Sequence, residues 1–354
     1  MTIALDIGTR GIRSLRRQGN RLVGRRNLTS YIALPDTPGH RRLLEKTATS
    51  FARCDDSLLV IGKAAVELAE TLQLPQVPLL SSGRLPPGDP LARQVFSSLI
   101  DWLVPSAPRR GHICWMALPG GLTDPDTSTD RDFFRQLVRL KGYETRFVSA
   151  ALAVVLAQLG HDGFSGIGID FGSGFTRASL AHRGVELATV CLPRGGHWID
   201  TRMAQSEDAC VWDAHGHQYL DTSTLARWKE SSDVSLTSPV SDREQRLSLL
   251  YDELIGDVLS LFSQQISYVA HAARLPQPMP LVCAGGVARL RGFPSAVKEI
   301  LQATMFPVTI AEIRSAADVD YTVARGCLIL GELAALGSSS EPPAASASSG
   351  SQAA

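Results

Sequence analysis

The sequence has no apolar run long enough to span a bilayer, no Cys-x-x-Cys pair, no Walker-type lysine motif and no excess of either charge. Each absence excludes something. Without a run of about 20 apolar residues there is no candidate transmembrane helix. The six cysteines, Cys54, Cys114, Cys191, Cys210, Cys283 and Cys327, are scattered, several of them inside apolar runs, which reads as reduced core thiols rather than a disulfide or zinc framework. Lys+Arg and Asp+Glu both number 35, so no overall field draws the chain to nucleic acid or to an anionic membrane. No short-period repeat suggests a solenoid. The first strand follows Met1 almost at once, and the expectation is a cytoplasmic chain with no signal peptide.

What is there points to a two-domain globular protein. The chain has 354 residues, 44% of them hydrophobic and 20% charged, enough for two full cores. Two glycine-rich turns stand out. Ile3-Ala4-Leu5-Asp6 leads into Gly8, Thr9, Arg10 and Gly11; Gly166-Ile167-Gly168-Ile169-Asp170 leads into Gly172, Ser173, Gly174 and Phe175. Each reads as a buried strand ending in aspartate, a tight turn and a return strand. Such a turn gathers backbone N–H groups into a concavity that suits a phosphate, and glycine allows close backbone approach. The aspartates Asp6 and Asp170 are oxygen ligands of the kind that hold hydrated Mg²⁺ against phosphates. Gly166-x-Gly168-x-x-x-Gly172 is no dinucleotide fingerprint, because a strand follows where a helix is needed.

Periodicity places strands near 3–6, 12–15, 21–23, 31–34, 58–62, 112–118 and 145–148, and helices over 63–72, 90–104, 130–141 and 149–160. Residues 74–93, rich in Pro, Gly and Ser, read as a connection. The pattern then starts again, with strands at 166–170, 176–181, 185–192, 281–284 and 308–310, and helices from 199, over 222–228, 242–273, 293–303 and 323–335. The expected division is a first lobe over 1–160, a second over 161–336 and a disordered Ser/Ala/Pro tail over 337–354. Arginines crowd the start, at Arg10, Arg13, Arg16, Arg17, Arg21, Arg25 and Arg26. They read as a solvated hairpin rim, with local phosphate or anionic-lipid contact as the other reading.

Five pieces in order, the two turns, the alanine-rich helix between them, the strand–Gly285-Gly286–helix and the closing helix, resemble the actin, DnaK-type chaperone and sugar-kinase ATPases. The bacterial actins of the MreB type are most similar. Leu192-Pro193-Arg194-Gly195-Gly196-His197-Trp198-Ile199-Asp200 resembles their Gly-Gly-x-x-Phe-Asp stretch, Cys283 to Phe293 their adenosine-binding turn, and Val323-Ala324-Arg325-Gly326 a stretch of their last helix. The resemblance implies an α/β, two-lobed actin-like ATPase fold, a duplicated mixed sheet flanked by helices with a nucleotide cleft between lobes. It implies ATP and Mg²⁺ as cofactors. The backbones of Gly8, Thr9, Arg10, Gly11, Gly172, Ser173, Gly174 and Phe175 would grip phosphates, and Asp6 and Asp170 would act on Mg²⁺ through water. Gly195 and Gly196 would line the cleft, Lys229 would lie beside the adenosine, and Gly285 and Gly286 would form its flat wall.

There are departures from the family pattern. Its water-positioning Glu or Gln falls on Ala151 here, and help of that kind contributes typically ~10²–10⁴-fold in rate. The expectation is nucleotide binding with weak hydrolysis. Arg10 would either pair with the terminal phosphate or fill the cleft. The stretch between Asp200 and Pro280 reads as a reduced outer subdomain of the second half. His197 fits either a phosphate contact or a turn role. Asp213, His215 and His217 read as a loop, not a metal site. Trp102 to Arg110 reads as a helix end returning to the core, with peripheral membrane contact as the alternative. The implied function is a filament-forming, MreB-like cytoskeletal protein linked to cell shape. The alternatives are a non-hydrolysing nucleotide-sensing adaptor and a chaperone-like ATPase, the latter expected to need a further substrate domain.

Overall fold

A computed structural model describes residues 2–339 except 73, 75, 82, 110, 123, 213–215, 217, 232 and 273–274. The chain opens with strands β1 (Thr2–Ile7), β2 (Gly11–Gln18) and β3 (Arg21–Leu28). An outer unit follows: β4 (Ser30–Pro35), α1 (Pro38–Lys46), β5 (Phe51–Cys54), β6 (Ser57–Ile61), α2 (Lys63–Leu72) and β7 (Val77–Pro78). The first half closes with α3 (Pro90–Leu103), β8 (His112–Ala117), α4 (Ser128–Leu140), β9 (Tyr143–Phe147) and α5 (Ala150–Gln158). The second half has β10 (Gly166–Phe171), β11 (Thr176–His182), β12 (Val185–Leu192) and α6 (Gly196–Ser206). Next come the hairpin β13 (Cys210–Trp212) and β14 (Gln218–Leu220), then α7 (Thr222–Ser231) and α8 (Asp242–Ala272). It ends with β15 (Met279–Ala284), α9 (Phe293–Ala303), β16 (Ile310–Ser315) and α10 (Thr322–Ser339).

Two five-stranded sheets carry the same topology, β3-β2-β1-β8-β9 and β12-β11-β10-β15-β16. In each, the first strand of the half is central, antiparallel to its hairpin partner and parallel to the strand on its other side. The period of two decides which face goes where. Ile3, Leu5 and Ile7 enter the core shared with α3 and α4, while Ala4 turns to the opposite face. Ile167, Ile169 and Phe171 enter the core under α6, α8 and α9. A smaller four-stranded sheet, β5-β6-β4-β7, packs with α1 and α2 around Leu34, Leu44, Leu58 and Val60.

Between the two large sheets lie α5 and α10. Residues Ala150 to Leu156 of α5 are all buried, as expected of a helix that is apolar all round. The helices cross over: α5 packs on β10 and β11, and α10 on β1 and β8. They touch at a point where only glycine fits. A Cβ on Gly326 would stand 1.8 Å from the Ala153 carbonyl oxygen. Gly168 plays a similar part below α5, where a Cβ would meet the Ala151 carbonyl oxygen at 2.5 Å.

The structure departs from the sequence-based expectation in several places. Helix α1 was not expected, although Thr37 caps it through the His40 N–H and Pro38 starts it, a recognised pairing of signals. The last strand lies at Ile310–Ser315, not at 308–310; Val308, just before it, is buried in the core of the second half. The Pro/Gly/Ser connection contains β7 and buries Leu79, Leu80 and Leu85. Helix α10 runs to Ser339, and the remainder of the tail, with Asp213, His215 and His217, lies outside the described residues. Leu103 and Val104 are buried and Trp102 is half exposed under the Arg25 guanidinium. No described helix is long and apolar enough to cross a membrane.

The crossing of α5 and α10 yields a direct test. Gly326→Ala should lower stability by about 3 kcal/mol or more, since the obstacle is backbone and overpacking ordinarily costs ~1–3 kcal/mol. Gly256→Ala, on α8 with nothing within 4 Å of the new Cβ, should be neutral or stabilising by up to about 1 kcal/mol. Thermal and urea unfolding of the two variants checks both; equal effects would refute the packing argument.

Candidate functional site

The two turns are built alike. The Gly8 N–H donates to the Gly11 carbonyl at 2.8 Å and the Gly172 N–H to the Phe175 carbonyl at 2.9 Å. Those two N–H groups therefore close their own turns, and it is the residues between them that can present N–H groups to a ligand. The turns face and touch one another. A Cβ on Gly174 would stand 2.6 Å from Thr9 Oγ1, and one on Gly83 would meet the Phe175 ring at 2.2 Å and Thr9 Oγ1 at 3.1 Å. Phe175 is buried by these contacts.

Helix α6 fastens the second turn. Its first N–H groups, those of Gly196 and His197, donate to the carbonyls of Gly172 and Ser173 at 3.0 and 2.8 Å. Gly195 is required there, because a Cβ would lie 2.3 Å from the Gly172 carbonyl oxygen. His197 thus serves the turn through its backbone. Gly285 has a positive φ of 94° and a Cβ would stand 2.2 Å from the Phe171 carbonyl oxygen, whereas Gly286 faces open space.

The structure brings Asp6 and Asp170 together, each opposite an arginine. Asp6 is in register with Arg13 and Asp170 with Arg177 across their hairpins, a placement that sets side chains side by side. Arg13 Nη1 donates to Asp6 Oδ2 at 3.3 Å and Arg177 Nη1 to Asp170 Oδ2 at 3.4 Å. All four side chains are three-quarters or more buried. Burial pushes the Asp6 carboxyl up to about 6, against the opposing pull of Arg13 and with a further rise from Asp170. Asp170 is likewise raised by burial, opposed by Arg177 and Arg13. Arg13 reaches on to Asp320, 4.0 Å away, which also holds Arg26 and Arg289 and so ties the first hairpin to the turn after β15. Arg177 lies over the Phe175 ring, 5.7 Å from its centre. The sequence reading missed both arginines as site residues. The available signal was their shared offset, seven positions after each aspartate.

These residues do not fit a divalent cation well. Each carboxylate expected to hold Mg²⁺ is already paired with a guanidinium, and the four formal charges cancel. Unit charges ~4 Å apart near a protein surface interact by about 4 kcal/mol, so each arginine repels a dication from the oxygen it occupies. The Nε atoms of Arg13 and Arg177 are buried with no hydrogen-bond partner among the described residues, which marks donors in want of an acceptor rather than a place for a cation. No described group of three His, Cys, Asp or Glu side chains could hold a metal ion.

The Arg10 side chain is about half exposed. It ion-pairs with Glu230 of α7, spanning the two halves, and Arg227 approaches Glu70 of α2 at 3.8 Å alongside. Lys229, between Arg227 and Glu230 on α7, is buried and donates to Asp200 of α6. Asp200 is the acidic partner that sequence alone did not pick out; burial raises its pKa and Lys229 opposes the rise. Ala151 is fully buried, and Ser149, two residues before it, caps α5 by accepting from the Leu152 N–H. No carboxylate or amide is present at 149–151.

Duplicated sheets, crossed inner helices and opposed turns define an actin-like fold. The Volactin family model matches residues 1–331, and the chain belongs to that family. Comparison with curated proteins gives no match. Among solved structures, the MamK double helical filament is similar with a TM-score of 0.68 at 17% identity, over 94% of this chain and 99% of that one. MreB5 of Spiroplasma citri bound to AMPPNP is similar with a TM-score of 0.65 at 16% identity, over 96% of this chain and 98% of that one. At these identities the likeness is one of fold.

The raised Asp6 carboxyl has a consequence for stability. Between about pH 3.8 and about pH 6 the folded state keeps a proton that the unfolded chain has released, so this group's contribution to stability falls as pH rises through that window and is level above it. Asp6→Asn removes the slope. The melting temperature of the variant relative to the unsubstituted protein should rise by several degrees from about pH 4 to about pH 6. Parallel profiles would show that Asp6 titrates normally.

Proposed function

We propose that this chain binds a nucleotide between its two turns and assembles into actin-like filaments, an MreB-type cytoskeletal role linked to cell shape. The observation that carries the reading is the meeting of the two Asp-Gly turns at Thr9 and Gly174; in this reading Gly285 and Gly286 form the adenosine wall. Supporting it, the fold is shared over most of their length with a MamK filament and with MreB5 bound to AMPPNP. In this reading Thr9 to Gly11 and Ser173 to Phe175 contact the phosphates, Gly196 and Lys229 border the nucleotide, and the lobes divide near residue 160. Binding that favours closed lobes would favour the assembling conformation, a population shift set by differential affinity. Magnesium is left out, because Asp6 and Asp170 already have cationic partners.

Hydrolysis should be slow. Residues 149–151 are Ser, Ala and Ala, so the start of α5 offers no carboxylate or amide to orient an attacking water. The same observation favours the second reading, an adaptor that reports nucleotide occupancy without turnover. Sedimentation with ATP separates the two. A filament protein pellets with ATP and stays in the supernatant without it, while releasing less than one phosphate per protomer during assembly. A protein that remains monomeric with bound ATP is the adaptor; brisk phosphate release would refute the account of α5.

A further inference from the structure

We propose that Arg13 and Arg177 stand in for the divalent cation in the phosphate cleft, so that the nucleotide polyphosphate binds without magnesium. This rests on the nucleotide reading above and specifies the form of the ligand.

Three observations carry it. The first is duplication. Both hairpins place arginine directly opposite the aspartate that precedes the turn, and both guanidiniums bond that carboxylate. One such arginine would be an isolated substitution, whereas the same residue at the same register of two hairpins makes a paired device. The second is position. Arg13 donates to the Gly11 carbonyl at 3.3 Å, and its guanidinium lies 3.6 Å from where a Cβ of Gly8 or Gly11 would be, which puts it against the floor of the first turn. Arg177 lies against Phe175, the last residue of the second turn. The third is unused capacity. Arg13 Nε and Arg177 Nε are buried donors without a partner among the described residues, and guanidinium is the side chain best suited to phosphate oxygens.

The chemistry is consistent with this arrangement. A nucleotide polyphosphate carries several negative charges that must be offset when its phosphates leave water. In this cleft the arginines cancel the charge of the aspartates, so a phosphate entering between the turns meets no net carboxylate charge and two guanidiniums with donors still to spend. The guanidiniums are held by Asp320 on one side and the Phe175 ring on the other, so little ordering is needed when the anion arrives.

The test is calorimetric titration of the full chain with ATP and with ADP, once in EDTA and once in excess MgCl₂. The expected result is a Kd that differs by less than about threefold between the two buffers. Arg13→Gln and Arg177→Gln should each weaken binding in EDTA by about tenfold or more, equivalent to ~1.4 kcal/mol, and Mg²⁺ should recover part of the loss. Should a single variant fail to fold by circular dichroism, the double replacement Asp170→Asn/Arg177→Gln, which strands no unpaired charge at that hairpin, takes its place. A drop in affinity of about threefold or more on removing Mg²⁺ from the unsubstituted protein overturns the proposal while leaving the nucleotide reading intact. So does unchanged affinity of folded variants in EDTA. Absence of binding in both buffers overturns the nucleotide reading, and this proposal with it.

Discussion

The contact of Gly326 with the Ala153 carbonyl oxygen is the constraint on which the architecture turns. Two sheets of identical topology could sit at many distances from each other. Here α5 and α10 lie between them at backbone contact, and each covers the sheet of the opposite half. The thin layer they form is made of Ala150, Ala153, Val154, Ala324 and Cys327, all small or compact and all buried. A thicker layer would separate the ends of β1 and β10, and with them the two turns. The meeting of Thr9 with Gly174 thus follows from packing some distance away, in residues that have no chemistry of their own.

Electrostatics in the cleft depends on that proximity. Burial raises both carboxyls, those of Asp6 and Asp170, above the usual carboxylate range, and for Asp6 the neighbouring Asp170 adds to the rise. Arg13 and Arg177 answer that cost locally, from the same hairpins. Around the rim, Arg10 with Glu230 and Arg26 with Asp320 join the halves by exposed pairs worth little individually. The buried Lys229–Asp200 pair belongs to a different class, since removing either partner would strand a charge inside the protein.

Much of this was legible in the sequence because the chain uses strong local signals. Alternation in Ile3–Ile7 and Ile167–Phe171, the apolar continuity of α5 and the glycines of the turns all act at short range, and each marked its element in the right place. What escaped was set at long range. Asp200 is separated from Lys229 by an intervening hairpin, and only the docking of α6 against α7 makes them partners. The roles of Gly326 and Gly168 depend on which helix passes over them, which no local pattern states. Arg13 and Arg177 lay within reach of sequence reasoning, but an arginine on a return strand resembles a solvated rim until its register with the aspartate is known. Helix α1 was signalled by Thr37-Pro38, with its apolar face, Leu43 and Leu44, too short to stand out as periodic.

The central claim is that the two turns form one binding surface. Hydrogen–deuterium exchange of the full chain with and without ATP addresses it most directly. The account predicts that slowed exchange appears together at Thr9–Gly11, at Ser173–Phe175 and at Gly286–Ala288. Exchange left unchanged at both turns, or slowed at one of them alone, would contradict it.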